Sequence, residues 1–183
     1  MALPVRCVFL LWAGLALSCA DAAGTDPYGM WDTFVDPNGA YTFRYLSPPW
    51  ELVSESDATP VIAVDPTRDE VDDSVTTGAL QARFKAVVSV RADTAEDAAG
   101  EDAALLLDLG AESVATMPFK SDGGRAGYQV AADLPDRHVR AVYQDLPEGG
   151  AAVLQVVGRD GVDDEDFTLL LRGLEPTSAE VSP

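Results

Sequence analysis

Cysteine is nearly absent from this chain. It has two, Cys7 and Cys19, both near the N-terminus, in a stretch that reads as an export signal. No pair remains to form a disulfide, so the fold has to stand on packing alone, even in the oxidising compartment that such a signal implies. Histidine is scarcer still, with His138 the single example. A zinc site needs more His or Cys than that. A Ser–His–Asp nucleophile would have to run through His138, and no Gly-x-Ser-x-Gly elbow accompanies it. Placed at the start of a strand beside Arg140, it reads as a surface histidine rather than a general base. Basic residues are few: 12 Lys and Arg stand against 31 Asp and Glu, a formal charge of −19. That imbalance argues against nucleic acid and against a bare electrostatic hold on anionic lipid, since both partners are negative. It leaves solubility through an acidic surface, or a specific cationic partner. Long apolar runs are also missing. The residues 7–17 form a run of eleven, too short to span a bilayer and of the right length for a signal core.

What is present begins with that signal. Arg6 supplies a short basic region, and Ala16-Leu17-Ser18-Cys19-Ala20 follows the apolar core. A small residue directly before a cysteine at this place resembles the bacterial lipobox. The resemblance implies that Cys19 is the lipid-modified first residue of the mature protein and its membrane anchor. Ordinary signal cleavage after Ala20 or Ala22 is the alternative, giving a secreted or periplasmic protein. The expected organisation is a signal over residues 1–19, a flexible tether over 20–30, one domain over 31–175 and a disordered tail over 176–183. A chain of 183 residues, 47% of them apolar, suits one domain with a real core.

Alternation and turn chemistry mark the strands. Residues 31–35 and 40–45 flank Asp36-Pro37-Asn38-Gly39, a hairpin signal, and Tyr41, Phe43 and Tyr45 share one face opposite Thr42 and Arg44. Leu46-Ser47-Pro48-Pro49-Trp50 is expected to be an extended link into a short strand over 51–54, with a further strand over 59–64 and an exposed acidic loop over 65–74. Residues 80–91 alternate almost strictly: Leu80, Ala82, Phe84, Ala86, Val88 and Val90 against Gln81, Arg83, Lys85, Val87, Ser89 and Arg91. Thr94 caps a helix whose expected apolar side is Ala98, Ala99, Leu105, Leu106 and Leu109, closed by Gly110.

A strand over 114–120 leads into three more at 128–132, 138–144 and 151–158. The last is apolar at nearly every position except Gln155, which predicts a central strand covered on both faces. In residues 138–144, Val139, Ala141 and Tyr143 face one way and His138, Arg140 and Gln144 the other. A terminal helix over 163–172 carries acids in its first turn, Arg172 in its last, and a Phe167, Leu170, Leu171, Leu174 stripe. That stripe is expected to lie back across the three preceding strands, with Gly173 in the left-handed conformation that ends the helix. Strands and helices in this order, joined by hairpins, give an α+β class with a mostly antiparallel sheet packed by helices.

The order of elements, with Tyr41-Thr42-Phe43-Arg44-Tyr45 leading into Pro49-Trp50, resembles the PsbP-like superfamily over residues 31–175. The resemblance implies an α/β/α sandwich of the kind used by small bacterial lipoproteins, and it carries no catalytic motif. No cofactor is expected. The acidic groups around Asp69-Glu70-Val71-Asp72-Asp73 and residues 160–166 do not match an EF-hand, so no metal site is expected either. Two features carry a binding reading. Arg83, Lys85 and Arg91 share one strand face, among only eleven basic residues (12 − 1, without Arg6) of the mature chain. They would receive a carboxylate or phosphate, or else pair with acids across the strands. Trp50 is either an exposed handle for a partner or a cover for the core. The functional expectation is a non-catalytic, lipid-anchored envelope protein that binds or helps assemble a protein partner. The alternatives are a periplasmic small-ligand carrier with a pocket between sheet and helix, anchored on the basic strand face, and lastly a hydrolase around His138.

Overall fold

The computed structural model describes residues 30–56, 59–64, 83–159 and 165–177, and the signal, Cys19, the acidic loop at 65–74 and most of the tail lie outside these. The described elements are β1 (Met30–Val35), β2 (Tyr41–Ser47), β3 (Trp50–Ser56), β4 (Thr59–Val64), β5 (Phe84–Arg91), α1 (Ala95–Asp108), β6 (Ser113–Lys120), β7 (Ala126–Leu134), β8 (Arg137–Asp145), β9 (Ala151–Gly158), α2 (Glu165–Arg172) and β10 (Leu174–Pro176). They form a seven-stranded sheet in the order β3-β4-β5-β9-β8-β7-β6 and a three-stranded sheet in the order β1-β2-β10. Every described pairing is antiparallel. The molecule is therefore mostly antiparallel β-structure with helix packed on it. Among the described residues no helix is long and apolar enough to cross a membrane.

β9 sits at the middle of the large sheet, as its apolar run requires, and Gln155 is its one exposed side chain apart from partly covered Val157. Each face of the sheet carries its own core. On one side α1 packs across β6 to β9, bringing Ala95, Ala98, Ala99 and Leu106 onto Val130, Ala132, Val139, Ala141, Tyr143 and Val153. On the other, the small sheet and α2 bring Phe34, Tyr41, Phe43, Tyr45, Leu170, Leu171 and Leu174 onto Trp50, Ile62, Phe84, Val88, Val142 and Leu154. The Asp36–Gly39 turn joins β1 to β2 with Gly39 at φ +74°, a conformation that glycine takes without penalty.

Several expectations are corrected. The terminal helix does not lie across the three strands before it; α1 does, and α2 packs against β2. Alone, an eight-residue helix would not hold together. Leu170 and Leu171, with neighbouring Leu174, are at most 3% exposed, and their burial contributes on the order of 5 kcal/mol. The buried side of α1 follows Ala95, Ala98, Ala99 and Leu106, whereas Leu105 and Leu109 are 55% and 63% exposed. Alanines let the helix axis approach the sheet closely, and the two leucines fall on the flank and beyond the end of that contact. The alternation of β5 holds from Phe84 to Val88 and ends at exposed Val90, while Leu80 to Ala82 lie outside the described residues. In β8 the polar side is covered at its far end, so that Gln144 is buried. The link between β2 and β3 is not extended. It is the pair Pro48-Pro49 alone, with both preceding peptide bonds cis. Pro176 does not begin a tail but ends β10, an edge strand, where its missing N–H is tolerated.

Gly173 is not left-handed; its φ is not among the positive ones. It is required for a different reason. Its carbonyl accepts the Arg44 N–H at 2.9 Å, and a Cβ at this position would fall on the Arg44 carbonyl. Gly173→Ala is therefore expected to destabilise the protein by about 1–3 kcal/mol through overpacking. Gly100→Ala, within α1 and with nothing near its missing side chain, is expected to stabilise it by about 0.5–1 kcal/mol. Urea denaturation of the two variants should move the midpoint in opposite directions.

Candidate functional site

The basic strand face does not form one site. Arg91 is held by α1: its guanidinium donates to Asp102 Oδ1 at 2.7 Å and to Glu101 Oε2 at 2.8 Å, with Asp93 at 3.5 Å. Its partners come from the helix and the loop before it, not from across the strands. Asp102 also accepts from the Tyr143 hydroxyl at 2.8 Å. Burial, and then this bond to Asp102, push the Tyr143 phenol far above its ordinary pKa, so it remains a donor. Asp145 adds a further tie by accepting the Ala95 N–H at 2.7 Å. These groups dock α1 on the sheet. Arg83 lies eight positions from Arg91, about 26 Å along a strand, with its guanidinium 5.0 Å over the Phe84 ring. Lys85 is half-buried on the α1 side of β5. Trp50 is on the opposite side, 1% exposed and 6.1 Å from the Phe84 ring. It covers the core, and the exposed-handle alternative is corrected.

His138 is paired across the β7–β8 hairpin, its Nδ1 2.7 Å from Asp133 Oδ1. Ser113 Oγ donates to the other oxygen of the same carboxylate at 2.8 Å. Ser, Asp and His thus meet, in an order that does not activate the serine: a nucleophile must be bonded to the imidazole, with the acid on its far nitrogen. Here Asp133 is the hub and Ser113 never reaches His138. Among the described residues no group of three His, Cys, Asp or Glu is arranged to hold a metal ion. The acidic groups at 69–73 and 160–164 fall outside those residues.

A groove that the strand pattern did not reveal lies on the outer side of the small sheet. It encloses about 350 Å³ and is lined by Trp31 of β1, Arg44 of β2, Arg172 and Gly173 at the end of α2, Glu175 of β10, and Asp122 and Gly123 of the β6–β7 turn. Pairing of β10 with β2 sets Gly173 against Arg44, which brings the end of α2 to the hairpin. The Asp122 N–H donates to the Arg172 carbonyl at 3.4 Å and closes the far wall. Arg44 lies with Cζ 4.9 Å over the Trp31 ring, a cation–π contact. Glu175 accepts the Gly123 N–H at 2.8 Å and faces Arg125 Nε at 3.8 Å. Arg44 and Arg172 are both exposed. The groove is thus open, with charged side chains set around an indole.

No protein-family model matches the chain, and no curated protein matches it. Among solved structures it is similar to a crystal structure from Bacteroides thetaiotaomicron VPI-5482, with 11% identity and a TM-score of 0.42 over 83% of this chain and 50% of that one. The chain spans about half the length of that structure.

Asp102→Ala removes the acceptor for both Arg91 and the buried Tyr143 hydroxyl and is expected to cost about 1–3 kcal/mol. Tyr143→Phe should cost about 1 kcal/mol, and the double variant little more than Asp102→Ala alone, as measured by denaturation. A second outcome concerns acid. Hydrogen bonds from His138 and then Ser113 lower the Asp133 pKa below its usual 3.8. A depressed carboxylate adds stability above its unfolded pKa and loses it as pH falls through the lower folded value. Asp133→Asn should therefore lower stability at neutral pH, and its penalty should disappear in an acid titration below the folded pKa.

Proposed function

We propose that this chain is an exported, non-catalytic protein of the bacterial cell envelope, anchored by lipid at Cys19, that binds or helps assemble a protein partner. The finer form of the fold, a PsbP-like α/β/α sandwich, belongs to the same reading, supported by the order of elements and the aromatic hairpin leading to Trp50. The observation that carries the proposal is the groove at Trp31, Arg44 and Arg172. It is open and sets arginines beside an aromatic ring, which suits recognition of a partner's surface better than enclosure of a free ligand. Trp31 stands twelve positions after Cys19 (31 − 19), a reach of at most about 40 Å from an anchored residue. The groove thus belongs to the part of the domain tied most closely to the membrane. The polar clusters elsewhere have structural work: Arg91, Asp102 and Tyr143 hold α1, and Asp133 ties Ser113 to His138.

The carrier alternative in its original form loses its anchor, because Arg91 is committed to α1. Two measurements check the proposal. Cys19→Ala should move the protein from the membrane to the soluble fraction of native cells; retention in the membrane would remove the anchor. A photo-crosslinking residue at exposed Thr33, opposite Arg44 in the hairpin, should give a discrete protein adduct that the same residue at exposed Glu148 does not. Equal adducts at both positions, or none at Thr33, would end the partner reading.

A further inference from the structure

In a chain whose acids outnumber its bases 31 to 12, a guanidinium without a carboxylate stands out. Arg91, Arg125 and Arg137 each have one, at 2.7, 3.8 and 2.7 Å. Among the described residues Arg44, Arg140, Arg159 and Arg172 have none in ion-pair contact; the charges of Arg140 and Arg159 act on Asp133 and Asp136, whereas Arg44 and Arg172 line one groove together, with Asp122 and Glu175. Glu175 is already met by the Gly123 N–H and Arg125. Stacking on Trp31 occupies one face of the Arg44 guanidinium and leaves its in-plane N–H donors open. That is the arrangement in which arginine accepts a carboxylate through two parallel hydrogen bonds, with little rotamer freedom left to lose.

We infer that the groove is a carboxylate site. Arg44 receives the two oxygens in its plane, Arg172 adds the second positive charge, and the Trp31 ring supports the carbon chain that bears the group. The inference rests on the partner-binding reading: the carboxylate belongs to the partner, as an acidic side chain or a chain end. Phosphate is the weaker match. Its charge approaches −2, so Asp122, Glu175 and the net charge of −19 repel it about twice as strongly as a carboxylate. A run of acids meets the same repulsion, so the group that enters is a lone carboxylate on a neutral or basic surface.

Without its signal the chain keeps two tryptophans, Trp31 and Trp50, and Trp50 is only 1% exposed, so Trp31 fluorescence reports on the groove. The mature chain with Cys19→Ser would be titrated with acetyl-Gly-Gly-Glu-Gly-amide and its Gln counterpart, with acetyl-Gly-Gly-Gly as free acid and as amide, and with inorganic phosphate. The expected result is a saturable change with at least one carboxylate peptide, at a dissociation constant of about 1 mM, and none with its uncharged counterpart. The tighter of the two carboxylate peptides identifies side chain or chain end as the source. Arg44→Gln and Arg172→Gln should each weaken binding about tenfold, and Arg44→Lys, which keeps charge but not the fork, should fall between and serves if Arg44→Gln does not fold. Equal responses to charged and uncharged peptides, no saturation by about 50 mM (fifty times the expected constant), or tighter binding of phosphate would overturn the inference. These results are independent of the Thr33 crosslink, so loss of the carboxylate site and loss of the protein partner can be told apart.

Discussion

A strand that is apolar on both faces has to be covered twice, and β9 imposes that condition on everything around it. The two covers are chemically unlike. One is built from aromatics and leucines of the small sheet and α2; each such side chain contributes about 1.5–3 kcal/mol on burial. The other is largely alanine from α1, which brings the helix close but removes much less apolar area from water. Directional bonds supplement that layer: Arg91 and Tyr143 converge on Asp102, and Asp145 takes the first free N–H of the helix. The weaker the apolar grip, the more polar ties are found across it.

The groove follows from how the aromatic layer is closed. Its walls come from β1, β2, the end of α2, β10 and the β6–β7 turn, so the inner side of the small sheet seals the core while its outer side presents Trp31 and Arg44. Core and candidate site share a backbone but not side chains. Phe43 and Tyr45 point into the core and Arg44, between them, points out, the simplest result of the two-residue period of a strand.

Much of the architecture was legible in local pattern. The hairpin at Asn38-Gly39, the Thr94 cap, whose hydroxyl accepts the Asp97 N–H at 3.2 Å, the double apolarity of β9 and the burial of Phe84, Ala86 and Val88 all follow from spacing a few residues long. What was not legible depends on partners far apart in the chain. Arg44 reads as one polar residue on a strand face, Arg172 as a helix-terminal base and Trp31 as the start of a strand. Nothing local says that the pairing Leu174 with Phe43 makes neighbours of them. The same limit misplaced α2, since a leucine stripe states that a helix is buried and not against what. In α1 the larger leucines drew the expected contact toward Leu105 and Leu109, when shape favoured the alanines.

The small sheet draws its strands from opposite ends of the domain. Phe43 meets its partner Leu174 only after 131 further residues (174 − 43). Until Leu174 has been synthesised, therefore, the aromatic side of the large sheet has no complete lid. A chain that cannot seal itself early keeps its aromatic face open longest, so the clasp of β10 on β2 is the step that completes the fold.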